Sequence, residues 1–293
     1  MAASLIPYIS CFDKVFDLGR TQSYQIAIQL RSDGFSFLVR DDGTNSIIAL
    51  ESYRFDEQND DDRLLQALAM TLQKKGWDLN RFSSVRFIIG DPQNTLVPTP
   101  LYHEAEAATL LGFNHTPKPD TQICSDVIEN AGCVNLYPVS NTLYKGLNKL
   151  GNQNRIRHHA SIFIRSCLNQ ATSDTAEVHV HVQNRDFYMA VVKNGTLLFY
   201  NTFQFSTKDD FAYFLLLAMQ QQGLSGQHVP IHLSGMISED SDIVELCKRY
   251  IKDIRFVQPE ASLTVSKALQ NIPFPIIKLR VAIIAPSCFL SRP

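Results

Sequence analysis

Apolar and polar positions alternate with a period of two at Tyr24, Ile26, Ile28 and Leu30, the pattern of a strand with one buried face. Phe35 to Val39 continues as a second strand. Asp41-Asp42-Gly43 predicts the hairpin turn that follows, with Gly43 accepting the positive φ of the turn. Ile47 to Tyr53 is the third strand. The period then changes. Asp60, Asp61 and Asp62 suit the positive end of a helix dipole. Leu64, Leu65, Leu68, Ala69 and Leu72 recur at helical spacing, and Gly76 stops the helix. Val85 to Ile89 is a fourth strand, closed by Gly90.

The second half repeats this order. Val178, Val180 and Val182 alternate with His179, His181 and Gln183. Phe187 to Val192 turns back through Asn194-Gly195, the strongest short hairpin signal, into a strand over Leu197 to Phe203. Thr207 and Asp210 form a capping box. Phe211, Phe214, Leu215 and Ala218 give the next helix its buried stripe, and Gly223 ends it. Val229 to Leu233 is a strand closed by Ser234-Gly235, and a last helix is predicted over Glu239 to Ile251. Aligning Phe35 with Phe187 brings Val39 onto Val191, Gly43 onto Gly195 and Thr44 onto Thr196. One unit is present twice, and Phe35 and Phe187 are expected at equivalent inward positions.

Between the copies the pattern predicts a helix over Leu101 to Leu111 and a loop holding Pro117 and Pro119. A strand over Val134 to Tyr137 and a helix over Leu143 to Leu150 follow. A short strand around Ile156 leads to a helix over Ala160 to Gln170. The small polar run Asn169 to Thr175 reads as a linker. The resulting division is an extension over residues 1–21, a first lobe over 22–172 and a second over 173–293. The C-terminal segment of the second lobe is expected to pack back on the first.

The repeated order of three antiparallel strands, a helix and a parallel strand resembles the actin-like ATPase fold. The chain is most similar to an uncharacterised bacterial family assigned that fold. The stretches Gly90-Asp91-Pro92 to Leu96-Val97-Pro98 and Cys133-Val134-Asn135-Leu136-Tyr137 contribute to the likeness. More distantly it resembles the pilus-assembly and cell-division actin-like proteins of bacteria. The resemblance implies an α/β, ribonuclease H-like fold of two lobes, each built on a mixed five-stranded sheet.

It also implies chemistry that the loops can be checked against. Members that bind nucleotide carry an Asp-x-Gly loop after the first strand of each lobe. Its backbone N–H groups cradle phosphate and its carboxylate positions hydrated Mg²⁺. Here the first loop reads Leu30-Arg31-Ser32-Asp33-Gly34-Phe35, with Leu30 or Arg31 where the carboxylate belongs. The second, Val182-Gln183-Asn184-Arg185-Asp186-Phe187, holds no glycine. A third motif, an apolar strand ending in two glycines, is half kept in Ser234-Gly235-Met236. Asp33, Gly34, Ser234 and Gly235 are therefore the candidate cleft residues. ATP and Mg²⁺ are possible ligands that these loops do not support.

Composition narrows the rest. The chain has 293 residues, 45% hydrophobic and 19% charged, and a net charge of −2 gives no reason to expect nucleic acid or an acidic membrane as partner. Six cysteines are scattered without a CxxC pair, as buried thiols in a reducing cytoplasm would be. No signal peptide is expected, since Pro7 interrupts the short apolar run at the N-terminus. Ile272 to Leu290 is apolar but carries three prolines, Lys278 and Arg280, which suits a buried terminal strand or helix better than a bilayer span. His179 and His181 share one strand face that is expected to be half exposed, and no third metal ligand is evident beside them. A nuclease-like two-metal site is disfavoured, because Tyr24 to Leu30 and Val85 to Ile89 hold no carboxylate. The expected function is a non-catalytic or degenerate actin-like scaffold acting through protein partners in the cytoplasm. The alternative is a true ATP-dependent enzyme or switch with atypical phosphate loops.

Overall fold

The computed structural model describes residues 5–55, 60–151, 155–171, 173–257 and 264–270. The first alternating runs become β1 (Ile9–Phe12), β2 (Tyr24–Arg31), β3 (Gly34–Asp41) and β4 (Ser46–Arg54), followed by α1 (Asp61–Lys75) and β5 (Ser84–Ile89). An inserted unit supplies β6 (Thr95–Pro98), α2 (Ala107–Gly112), β7 (Thr121–Ile128), β8 (Cys133–Ser140) and α3 (Asn141–Lys149). β9 (Arg155–His158) and α4 (His159–Gln170) complete the first half. The second half holds β10 (Glu177–Val182), β11 (Asp186–Lys193), β12 (Thr196–Gln204), α5 (Lys208–Gln221), β13 (Ile231–Gly235), α6 (Asp242–Cys247) and β14 (Ile254–Phe256). β15 (Thr264–Val265) and α7 (Lys267–Gln270) return to the first sheet.

Five strands in the order β4-β3-β2-β5-β9 form the heart of lobe one, and β12-β11-β10-β13-β14 repeats that order in lobe two. The repeat holds at the level of single residues. Leu30 pairs with Phe35 and Val182 with Phe187, while Phe35 pairs with Tyr53 and Phe187 with Phe203. Both phenylalanines are buried in the main core of their lobe, where each stacks on its cross-strand aromatic at 4.8 and 5.1 Å. A β-bulge falls after Val39 in one copy and after Val191 in the other, so the same irregularity twists both sheets at the same place. A third sheet, β6-β8-β7, belongs to the insertion and has no counterpart in lobe two among the described residues.

Helix α1 starts where Asp60 accepts a hydrogen bond from the Arg63 N–H, and it ends at Gly76 in the left-handed region. Its stripe Leu64, Leu68 and Leu72 packs on the first sheet. Helix α4 is buried nearly all round, polar residues such as His159, Ser161 and Ser166 included. Its Ile162 joins the core of Ala27, Leu38, Leu50 and Ile88. Its Phe163, Ile164 and Cys167 join Tyr188, Ala190 and Val192 of lobe two. One helix thus walls both sheets.

The structure corrects several local expectations. The positive φ of the β3–β4 turn falls on Asn45, at 50°, and not on Gly43, because the Asp41 carboxylate accepts from the Gly43 N–H and sets an earlier bend. The helix expected over Leu101 to Leu111 is broken into two 3-10 turns before α2, since His103 is extended and no side chain caps either turn. The helix expected over Glu239 to Ile251 shrinks to α6, started by the Ser241 hydroxyl on the Val244 N–H. The stretch beyond Pro119 includes strand β7. The apolar segment Ile272 to Leu290 lies outside the described residues.

Most buried polar groups around β7 and α4 have partners. Asp126 on β7 accepts from the His158 N–H at 2.8 Å, Arg157 at 3.2 Å and the Tyr137 hydroxyl at 3.3 Å. His158 caps α4: its Nδ1 accepts from the Ala160 N–H, so the proton sits on Nε2 and is donated to the Asp91 carbonyl at 2.7 Å. Burial pushes its pKa down to about 4. The unfolded imidazole, near 6.5, takes up a proton that the folded one refuses. Stability is therefore present above pH 6.5 and is lost as pH falls toward 4, by about 3 kcal/mol for this group. Asp91 and Asp126, raised by burial, act with the opposite sign. Urea unfolding of wild type and His158→Gln at pH 7 and pH 4.5 separates them. The gap between the two proteins is expected to narrow by about 2–3 kcal/mol at the lower pH. A constant gap would mean that His158 takes up its proton as readily in the fold as in the unfolded chain.

Candidate functional site

The equivalent turns of the two lobes meet. One joins β2 to β3 through Arg31, Ser32, Asp33 and Gly34. The other joins β10 to β11 through Gln183, Asn184, Arg185 and Asp186. In the duplication Arg31 corresponds to Gln183 and Gly34 to Asp186. Gly34 has a φ of +149°, and a Cβ there would lie 2.1 Å from the Tyr53 carbonyl oxygen, so only glycine lets β3 start against β4. Its counterpart Asp186 instead turns a buried carboxylate toward lobe one.

Arg31 fills the space between the turns. Its Nη2 donates to Asp186 Oδ2 at 2.9 Å, its Nε to Asp33 Oδ1 at 3.2 Å and its Nη1 to the Gly90 carbonyl at 3.1 Å. Asn184 crosses the other way and donates to Asp33 Oδ2 at 3.2 Å. Gly90 makes room for the stem, since a Cβ there would approach Arg31 Cγ to 2.8 Å. Burial disfavours the guanidinium charge, but Asp186 and Asp33 more than restore it and hold its pKa above the ordinary arginine value. Asp91, just beyond β5, is raised by burial and only partly relieved by the Gln93 N–H and Arg31. Asp186 Oδ1 and the Tyr188 hydroxyl are buried without a hydrogen-bond partner among the described residues.

Beside this contact lies a cleft of about 400 Å³. Four carboxylates line it, from Asp33, Asp61, Asp91 and Asp186, against the guanidinium groups of Arg31, Arg54 and Arg185. A triphosphate brings several negative charges, and this wall does not outweigh them. Asp33 lies in the cleft and Gly34 at its rim beside Tyr53 and Met236.

Ser234 and Gly235 sit apart from the cleft lining, at the end of β13 opposite His181 and Val182. Gly235 has a φ of +91°, and a Cβ there would lie 2.1 Å from the Val182 carbonyl. Ser234 is buried and donates to the Val180 carbonyl. His181 Nδ1 then donates to Ser234 Oγ at 3.0 Å, while its Nε2 accepts from Gln183 at 2.8 Å. His179 stacks on His232 at 4.8 Å, with Glu177 Oε2 at 3.6 and 3.8 Å from the two Nε2 atoms. The strand face of His179 and His181 is not half exposed: they are 3% and 1% exposed, because α4 covers it. Sequence reading missed Asp186, Asp91 and Asn184. The available signal was an arginine at a strand end, with a glycine at position 90 that leaves room for its stem.

A family model described as a protein of unknown function, DUF3822, matches residues 13–254. No curated protein matches the chain. Among solved structures, a Bacteroides thetaiotaomicron VPI-5482 protein with an actin-like ATPase fold and unknown function is similar with a TM-score of 0.74 and 18% identity. That likeness covers 83% of this chain and 94% of that one. A PilM–PilN type IV pilus biogenesis complex is similar at a TM-score of 0.60 and 10% identity, over 92% of this chain and 97% of that one. These likenesses establish the fold as actin-like.

Removing Arg31 leaves Asp186 buried and uncompensated. Arg31→Met is expected to cost about 3–5 kcal/mol in urea unfolding, and Arg31→Met with Asp186→Leu to recover most of it. A double-variant loss equal to the sum of the Arg31→Met and Asp186→Leu losses would show that the two charges do not depend on each other.

Proposed function

The chain belongs to the DUF3822 family, and we propose that it is a two-lobed actin-like binding scaffold in which its own Arg31 stands where a nucleotide's phosphates would be held. The bridge of Arg31 to both turns, one bond to each carboxylate, carries this reading. A phosphate cradle needs backbone N–H groups that glycine leaves accessible. Here Gln183, Asn184 and Arg185 stand in the second turn, and Gln183 is committed to His181. The excess of carboxylates in the cleft works against a polyanion.

A scaffold acts by binding, and the PilM–PilN neighbour is itself seen in a complex with another protein. The partner of this chain is taken to be a protein, in keeping with its near-neutral charge. Free cysteines, three of them buried, suit a reducing cytoplasm. No helix among the described residues is long and apolar enough to cross a membrane.

Ligand-induced melting tests the reading. A ligand present at 100 times its Kd raises stability by about 2.7 kcal/mol, a shift of several degrees. Mg-ATP at millimolar concentration is expected to leave the melting temperature unchanged and to be turned over at the buffer rate. A clear shift, with turnover abolished by Asp33→Ala, would replace the scaffold with an ATP-dependent enzyme or switch.

A further inference from the structure

The duplication poses the same sheet edge twice, and the chain fills it only once among the described residues. In lobe one, β4 would be the edge strand, but β1 pairs along it antiparallel, with Ile9 opposite Ser52, Cys11 opposite Leu50 and Phe12 opposite Ala49. β15 adds a short parallel pairing at Ser46 and Ile47. In lobe two the equivalent strand β12 ends its sheet, with no strand beyond it among the described residues.

Its outward groups follow from the repeat. Ser52 faces β1, since its carbonyl accepts from the Tyr8 N–H at 3.0 Å. The counterpart of Ser52 is Thr202, whose N–H is held by the side chain of Asn201 at 2.8 Å in place of a neighbouring strand. Alternation puts Leu198 and Tyr200 on the same outward side. β12 runs nine residues, Thr196–Gln204, and holds no charge and no proline. Natural edges are usually guarded by one or the other, because an open ladder of N–H and C=O groups accepts any extended chain. Apolar surface flanks the edge: Leu198 is 53% and Tyr213 on α5 is 62% exposed, and Phe203 stacks on Phe214 at 5.8 Å.

We propose that β12 is a docking edge for a single extended segment of a partner protein, added antiparallel over Phe199–Thr202 as β1 is added to β4. The occupant is a lone strand rather than the rim of another sheet, because β1 is itself the outermost strand of its sheet, four residues long. Its chemistry follows from the walls. It is uncharged over about four residues, apolar opposite Phe199 on the α5 side and apolar opposite Tyr200 on the α4 side, as Phe12 and Cys11 are in lobe one. Main-chain bonds supply the affinity and these two positions the selectivity. The inference deepens the scaffold reading and rests on it.

The test uses the full chain and a random twelve-residue peptide library displayed on phage. Selected peptides are expected to slow exchange of the Leu198, Tyr200 and Thr202 amides and to bind Thr202→Pro at least about tenfold more weakly. That variant keeps the bonds to β11 and removes only an outward donor; a wild-type-like melting curve is required of it, and Leu198→Lys serves as the second block. Undiminished binding to both variants, protection around Asp33 and Asn184, or a library that yields no binder would overturn the proposal. Slowed β12 exchange that rises with protein concentration in the absence of peptide would overturn it in favour of a second copy of this chain. None of these outcomes depends on Mg-ATP, so failure of the docking edge and failure of the scaffold reading are read separately.

Discussion

A guanidinium withdrawn from water loses several kcal/mol of hydration unless carboxylates meet it at close range. Arg31 is withdrawn in this way, and its position at the end of β2 leaves two sources of carboxylate within reach: Asp33 in its own turn and Asp186 in the turn of the other lobe. Both are used. The two turns are therefore tied at the cleft by Arg31, with Asn184 to Asp33 as a second bond across them. Gly90 and Gly34 are consequences of the same demand, the first clearing the stem and the second letting the turn lie flat against β4. Half-buried Asp91 nearby draws part of its relief from Arg31, after the Gln93 N–H.

Duplication with divergence explains why such a contact arises. Two copies of one turn that face each other start with identical residues, and like meets like. Here the copies have taken opposite parts: an arginine and a glycine in one, a glutamine and an aspartate in the other. Asymmetry converts a meeting of equals into an ion pair with direction. The same divergence left Gln183 free to join His181 and Ser234 inside lobe two, where it holds a histidine in one tautomer and carries no cleft function.

The repeat was legible because it is written in periodicity. Alternation at Tyr24 to Leu30 and Val178 to Val182, the Asn194-Gly195 turn and the Thr207 capping box are local signals, and each became the element it announces. The breaks in expectation come where a longer-range or competing local bond decides. The Asp41 carboxylate moved the strained residue of a turn from Gly43 to Asn45. β1 and β6 are four residues each and exist because a neighbouring strand offers an edge, which no window of sequence records. The cleft was half legible for the same reason. Asp33 and Gly34 stand in a recognisable loop, whereas Asp186 matters only because the fold brings it to Arg31 from the far half of the chain.

Helix α4 carries a consequence for the order in which the molecule is made. A chain emerging from the ribosome completes α4 before any strand of lobe two exists. Ile162 can settle at once on Ala27, Leu38, Leu50 and Ile88 of the first sheet, all made before it. Phe163, Ile164 and Cys167 then face water until β11 brings Tyr188, Ala190 and Val192 to cover them. The nascent first half is thus a platform with one greasy side, and the second half condenses on it as a template. Vectorial synthesis, with the helix as the first half's last product, turns two similar lobes into an ordered pair, the earlier one shaping the later.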